Sequence, residues 1–232
     1  MKTAIMQPYF LPYMGYFQLI NSVDLFIVYD NIKYTKKGWI NRNRMLLNGK
    51  DVMFSLPLKS DSDFLDVCDR EVAADFNPEK LLNQFSGAYK HAPYFTQTFP
   101  LIEDIVRCED CNLFKFIHYS ISKVCEHLGI ATEIRVSSDI TIDHNLKNQD
   151  KVVALCEAVG ATIYINTIGG IELYSKDDFT ARGLELKFIR SKMFEYAQFS
   201  KEFVPWLSII DVMMFNSINV IREAIPSNYE LT

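Results

Sequence analysis

Asp30 stands at the end of the apolar run 25–29, and a polar, aromatic, basic stretch follows it: Asn31, Lys33, Tyr34, Lys36, Lys37, Trp39, Asn41, Arg42, Asn43 and Arg44. A carboxylate at a strand end can orient a ligand hydroxyl, hold a metal or act as a base. Arginine offers a planar two-pronged fork to phosphate, and lysine a compact charge. Tyrosine and tryptophan rings stack on sugars and bases. If 41–47 is a strand, Arg42 and Arg44 share one face, and Asn41 and Asn43 share the other. Polar residues on both faces are unusual for a purely structural strand. Gln7, Tyr9 and Tyr13 follow a first apolar run, Ala4-Ile5-Met6. Asn166, Gly169 and Gly170 follow another, 162–165. Gln7 has an amide that needs a partner directly after a buried strand. Two glycines let a backbone approach a ligand closely. The chemistry these types suit is the binding of an anionic, ring-bearing small molecule, with Asp30 and Lys37 as candidate catalytic groups.

Each feature has a plainer structural account. Asp-Asn is good turn chemistry, the lysines suit a solvated loop, and Gly-Gly is more often a turn than a ligand cradle. Cys108-Glu109-Asp110-Cys111 has CxxC spacing, but no second ligand pair exists for zinc. The histidines 91, 118, 127 and 144 are scattered. No nucleophile triad, P-loop or G-x-G-x-x-G pattern occurs. Neither a metal nor a cofactor is therefore expected. Asp211 falls among Leu207, Ile209, Ile210, Val212, Met213 and Met214, where a carboxylate must be paired or reach a cavity. A structural role is favoured for it.

The elements that must position these groups follow from pattern. Of the 232 residues 49% are apolar and 23% charged, enough for a sizeable core. The net charge of −5, with a single local basic cluster at 33–44, argues against nucleic acid and for a small anionic ligand. No apolar run reaches membrane-spanning length. Five cysteines and no visible signal segment predict free thiols in a reducing cytoplasm. The oligomeric state is left open. Strands are predicted at 2–6 and 24–29 with a helix over 13–21 between them, a parallel βαβ unit. Asn48-Gly49 between 41–47 and 52–58 predicts a hairpin. A further strand is predicted at 65–72. Helices are predicted over 77–89, 95–106 and 112–128, then a strand at 132–136, a helix over 148–159, strands at 162–165 and 184–189, a short helix over 176–182 and one last helix over 206–224. The chain is thus expected to be one α/β domain over 1–232, a single mainly parallel sheet with flanking helices, a β-hairpin insertion and a helical cap at about 77–129. Ligands of open α/β sheets bind beyond strand ends, so the site is expected where the loops after the first two strands meet the 41–44 arm and the 166–170 loop.

The same residues resemble a known family. Gln7-Pro8-Tyr9-Phe10-x-Pro12-Tyr13-x-Gly15-Tyr16-Phe17, then Asp24-x-Phe26-x-x-x-Asp30, then Lys36-Lys37-Gly38-Trp39-x-Asn41-Arg42-Asn43, looks like the start of the WbqC-like family. Tyr89, Pro93-Tyr94-Phe95, Ser137-Ser138, Tyr164, Tyr174, Tyr196-x-Gln198 and 207–211 fit it too. The resemblance implies a place in O-antigen or other surface-polysaccharide synthesis. It implies transfer of glycine or another acyl group to an amino sugar. On that account a nucleotide sugar is the partner, its diphosphate meeting Lys37, Arg42 and Arg44, its sugar stacking on Trp39 or Tyr34, and Asp30 taking the proton of the attacking ammonium. Two alternatives stand beside it. One is nucleotidyl transfer, although the turn after the first strand lacks the histidine pair of such enzymes. The other is a non-catalytic binding or scaffold protein of the same pathway.

Overall fold

The computed structural model describes all of residues 1–232. The first apolar run is β1 (Lys2–Met6), paired with β2 over Thr3–Met6 and with β6 at Lys2 and Thr3 alone. The chain turns through Pro8 and Pro12, enters α1 (Met14–Asn21) and returns as β2 (Leu25–Val28), parallel to β1 with Ala4 opposite Phe26. Next come β3 (Arg42–Leu47) and β4 (Lys50–Ser55), a separate two-stranded antiparallel sheet. Asn48 and Gly49 both have positive φ, 52° and 73°, the backbone a tight hairpin turn of this hand requires.

Three helices then pack together: α2 (Pro78–Tyr89), α3 (Phe95–Val106) and α4 (Leu113–Leu128). The Asn77 side chain caps α2 by accepting from Lys80 N, with Pro78 in the first turn. The Asn112 side chain caps α4 in the same way through Lys115 N. The chain re-enters the sheet as β5 (Glu133–Val136), crosses over through α5 (Asn148–Ala158) to β6 (Ile163–Thr167), and continues through α6 (Lys176–Ala181) to β7 (Glu185–Ser191). An irregular strap, 192–208, leads to α7 (Ile209–Phe215), α8 (Ile218–Ala224) and β8 (Tyr229–Leu231).

The large sheet has the order β5-β2-β1-β6-β7-β8, parallel except for β8. It is a mainly parallel α/β sheet with helices on both faces. Alternation along each strand feeds two cores. Ala4, Phe26 and Val28 face a large cluster with α1, the hairpin and α2–α4. Ile5, Leu25, Ile27, Tyr164 and Phe188 face a smaller one with α5 and α6. Strand order runs outward from β1 in one direction through β2 and β5, and from β6 in the other. The junction of β1 and β6 is therefore the point where the winding reverses.

Three elements depart from expectation. The alternating stretch 65–72 is not a strand. It holds a single 3-10 turn at Val67–Asp69, and its backbone pairs only singly, Lys33 with Asp66, Leu58 with Val72 and Glu71 with Asn112. Arg70 turns back to donate to the Ser62 carbonyl and stacks on Tyr34, so its polar positions serve loops and not a ladder. The expected last helix is two. Asn216 is extended, and Ser217 starts α8 as a new cap. The third departure is β8 (Tyr229–Leu231), an antiparallel edge whose three residues are too short a run to announce a strand.

Candidate functional site

A cleft of about 1180 Å³ opens at the carboxyl ends of β1, β2 and β6, at the winding reversal. In sheets of this kind that crevice is where ligands bind. Of the residues singled out by sequence, Gln7, Tyr9, Tyr13, Trp39, Asn166, Gly169 and Gly170 line it together.

Gln7 and Asn166 leave the ends of neighbouring parallel strands. The Gln7 carbonyl accepts the Tyr16 hydroxyl at 2.9 Å, which fixes the turn and leaves its side-chain amide to the cleft. Asn166 is buried, and its Oδ1 accepts from Thr167 N at 2.7 Å, which turns the NH₂ toward Gly170. Gly170 makes that placement possible, because a Cβ there would stand 2.9 Å from Asn166 Nδ2. Tyr9 packs on Tyr16, and burial raises the Tyr9 and Tyr13 hydroxyls above their ordinary range. Both stay hydrogen-bond donors at any physiological pH.

The other expected residues lie elsewhere. Asp30 is 3% exposed and does not line the cleft. Its Oδ1 accepts from Ser137 Oγ at 2.7 Å and Ser138 N at 3.0 Å, and its Oδ2 from Ser138 Oγ at 2.7 Å. It therefore clamps the turn after β5 to the end of β2. Tyr34 is buried, donates to Asn41 Oδ1 and lies under Arg70, while the Asn41 amide donates to the Leu56 carbonyl. Asn43 is buried and donates to the Leu11 carbonyl. Arg42 Nε donates to the Gly38 carbonyl. Arg44 pairs with Asp51, donates to the Trp206 carbonyl and lies over Trp39. Lys37 is exposed on the loop, and Lys36 pairs with Asp63. The 41–44 arm thus fastens the hairpin to its loops, and it is not brought to the cleft with Gln7 and Asn166.

The cleft gains residues that no strand-end pattern announced. Lys151, 4% exposed, projects from the second turn of α5. Its Nζ donates to the Asn31 carbonyl at 3.1 Å and lies 5.1 Å from the Tyr29 ring centre. Burial holds the Lys151 ammonium below its ordinary range. The field of Asp66 pulls it back up, and that of Lys147 adds to the lowering. Burial pushes the Tyr29 phenol up to about 12, helped by Tyr174, Asp66 and Asp30. Asn31 Nδ2 lies 2.9 Å from His144 Nδ1. With the amide as donor, the neutral imidazole carries its proton on Nε2. Asp66, half-buried on the cleft wall, makes no side-chain hydrogen bond. It is thus a carboxylate free for a ligand. One signal for Lys151 is present in the sequence. It sits four residues before Leu155, among Val152, Val153 and Cys156, where a helix facing the core puts apolar residues. No group of three His, Cys, Asp or Glu side chains gathers as a metal site, and no helix is long and apolar enough to cross a membrane.

A family model described as the WbqC-like protein family matches residues 7–223. The chain is also similar to the uncharacterized protein Rv1507c of Mycobacterium tuberculosis (strain ATCC 25618 / H37Rv), 26% identical over 219 residues that cover 93% of each chain.

Proposed function

The chain belongs to the WbqC-like protein family, and from that premise we propose that it transfers an acyl or aminoacyl group, such as glycyl, to the amine of a nucleotide-linked amino sugar in O-antigen or other surface-polysaccharide synthesis. The observation that carries this is the cleft at the winding reversal, which joins amide donors, aromatic rings, free cations and the carboxylates of Asp66, half-buried on the wall, and Glu172, exposed at the rim. A nucleotide sugar needs each of these. Tyr9, Trp39 and Tyr174 offer faces for a ring, and Gln7 and Asn166 offer donors and acceptors for sugar hydroxyls.

Amide formation requires a neutral amine. Asp66 takes the proton of the sugar ammonium, a role that its free carboxylate suits better than the fully engaged Asp30. The amine nitrogen then attacks the carbonyl carbon of an activated donor, a thioester or ester. The new N–C bond forms as the carbonyl π pair moves onto oxygen. The tetrahedral oxyanion then collapses, the bond to the leaving group breaks, and that group departs with the electron pair and takes up the second proton lost by the nitrogen. The Asn166 NH₂ stabilises the oxyanion.

A thermal-shift series with nucleotide amino sugars, plain nucleotides and ATP tests the reading, since a ligand of the folded state raises the melting temperature. A shift with the amino sugars supports it. Asp66→Asn should reduce that shift only in part and abolish transfer. No shift at millimolar concentration would remove the reading. ATP alone would favour nucleotidyl transfer, to which the strand order is also suited, although the turn 7–13 supplies no histidine.

A further inference from the structure

We propose that the amino-terminal end of α5, with Lys147 and Lys151, is the subsite for the diphosphate of the ligand. The proposal rests on the nucleotide-sugar reading and gives its anionic part a place. Lys151 is a buried cation on the cleft floor whose hydrogen bond goes to one carbonyl, Asn31 O. An ammonium has three donors, and it forms no ion pair with any carboxylate of the chain. A buried charge left unpaired is costly, and a bound anion removes that cost.

Three further observations point the same way. Lys147 lies one helical turn before Lys151, on the same face of the chain's path into α5, and the two repel. Two like cations at one cleft wall are stabilised by an anion between them. The first turn of α5 presents unpaired backbone N–H groups toward the same wall, because Lys147 at the cap position provides no side-chain acceptor. Asn148, the first residue of α5 and part of the cleft lining, holds a positive φ of 49°. Asparagine tolerates that backbone, which turns the helix start into the cleft. Asp66, Asp30 and the Cys68 thiol are the acidic groups whose fields reach Lys151, and Tyr29 and His144 also stand near it. Asp66 then sits where the sugar ammonium belongs, with the phosphates beyond it, so the two charges of the ligand meet opposite charges along one wall.

Titration calorimetry with inorganic pyrophosphate and with uridine diphosphate tests this on the full chain. Both should bind the unaltered protein. Lys151→Gln and Lys147→Glu should each weaken both probes at least tenfold. Lys147 is exposed, so Lys147→Glu keeps the fold even if the buried Lys151→Gln variant does not, and a melting curve of each variant checks this. Lys187→Ala, on a lysine paired with Glu185, matches the charge change of Lys151→Gln as a control and should change nothing. Unchanged affinity in Lys147→Glu and a folded Lys151→Gln would overturn the subsite while leaving the transfer reading intact. Lysine-dependent pyrophosphate binding without binding of any nucleotide amino sugar would keep the subsite and sink the transfer reading. Failure of the unaltered protein to bind either probe would overturn the subsite.

Discussion

Asp30 acts on the cleft at one remove. It holds the Ser137-Ser138 turn, and the next residue, Asn31, carries the carbonyl that meets Lys151 and the amide that meets His144. Asp30→Ala leaves the Ser138 hydroxyl and N–H without their acceptor and the Ser137 hydroxyl with Asn31 Oδ1 alone. Hydrogen bonds to a charged group contribute roughly 1.5–3 kcal/mol each, partly shared here, so a loss of about 3 kcal/mol is expected in denaturant unfolding. Ligand affinity should fall with it, because Asn31 loses its anchor. Gly170→Ala makes a different forecast. The new methyl must displace the Asn166 amide, so binding should weaken several-fold while the melting temperature moves little. Arg42 belongs to a third kind. Its bond to Gly38 lies in the loop before β3, and Arg42→Ala should lower stability by about 1 kcal/mol without changing nucleotide-sugar affinity. A tenfold loss of affinity in a stable Arg42→Ala protein would return the arm 41–44 to the site.

At the scale of elements, the strap 192–208 hangs on one buried carboxyl. Asp211, in the first turn of α7, accepts from Tyr89 Oη at 2.9 Å, Tyr196 Oη at 2.6 Å and Gln198 Nε2 at 2.8 Å. Burial raises its carboxyl above the ordinary range, and the three donors offset this only in part. The native chain therefore holds the Asp211 proton more tightly than the unfolded chain. That contribution is fully present below about pH 4, the ordinary carboxylate value, and is lost as pH rises through the raised native value. Asp211→Asn has no proton to lose. The stability of the unaltered chain relative to Asp211→Asn should thus be greatest in acid and shrink toward neutrality. Melting curves of both proteins across that range decide it, and a difference that grows with pH would contradict the account. What the sequence announced at this scale is what chain-local chemistry controls. The strands β1, β2 and β6, the Asn-Gly hairpin and the capped helices α2 and α4 all carry their signals within a few residues. Gln7 and Asn166 were legible for the same reason, as polar groups directly after apolar strands. The α5 contribution was not, because a crossover from the far edge of the sheet brings Lys151 to Asn31 across 120 positions of chain. The stretch 65–72 misled because Arg70 and Asp66 serve loop and cleft, contacts that alternation cannot express. The single helix expected over 206–224 overlooked Ser217, whose hydroxyl accepts from Val220 N and so starts a new helix.

For the molecule as a whole, the question is whether the hairpin, the helical cap and the sheet unfold together. One apolar cluster of 49 buried residues runs through all three, and we propose that they behave as one domain. Tyr89 offers a local probe of that coupling. It sits at the end of α2, its hydroxyl accepts from Leu46 N of β3 at 2.9 Å, and it donates to Asp211 of α7. The helical cap, the hairpin and α7 therefore meet on one oxygen. Tyr89→Phe keeps the ring in the core and removes that oxygen alone. The Leu46 N–H and one Asp211 lone pair are then buried without a partner, which costs roughly 1–3 kcal/mol for each group left unsatisfied. If the modules are coupled, urea unfolding followed by tryptophan emission, from Trp39 at the cleft and Trp206 on the strap, should coincide with unfolding followed by far-ultraviolet dichroism, which averages over every helix. Tyr89→Phe should shift both curves to lower urea by the same amount with an unchanged slope. Independent modules would behave otherwise. The two probes would separate, and the substitution would widen the gap by moving the hairpin and cap ahead of the parallel sheet. Coincident curves that Tyr89→Phe splits apart would mean that the shared oxygen, more than the shared apolar cluster, holds the modules to a single transition.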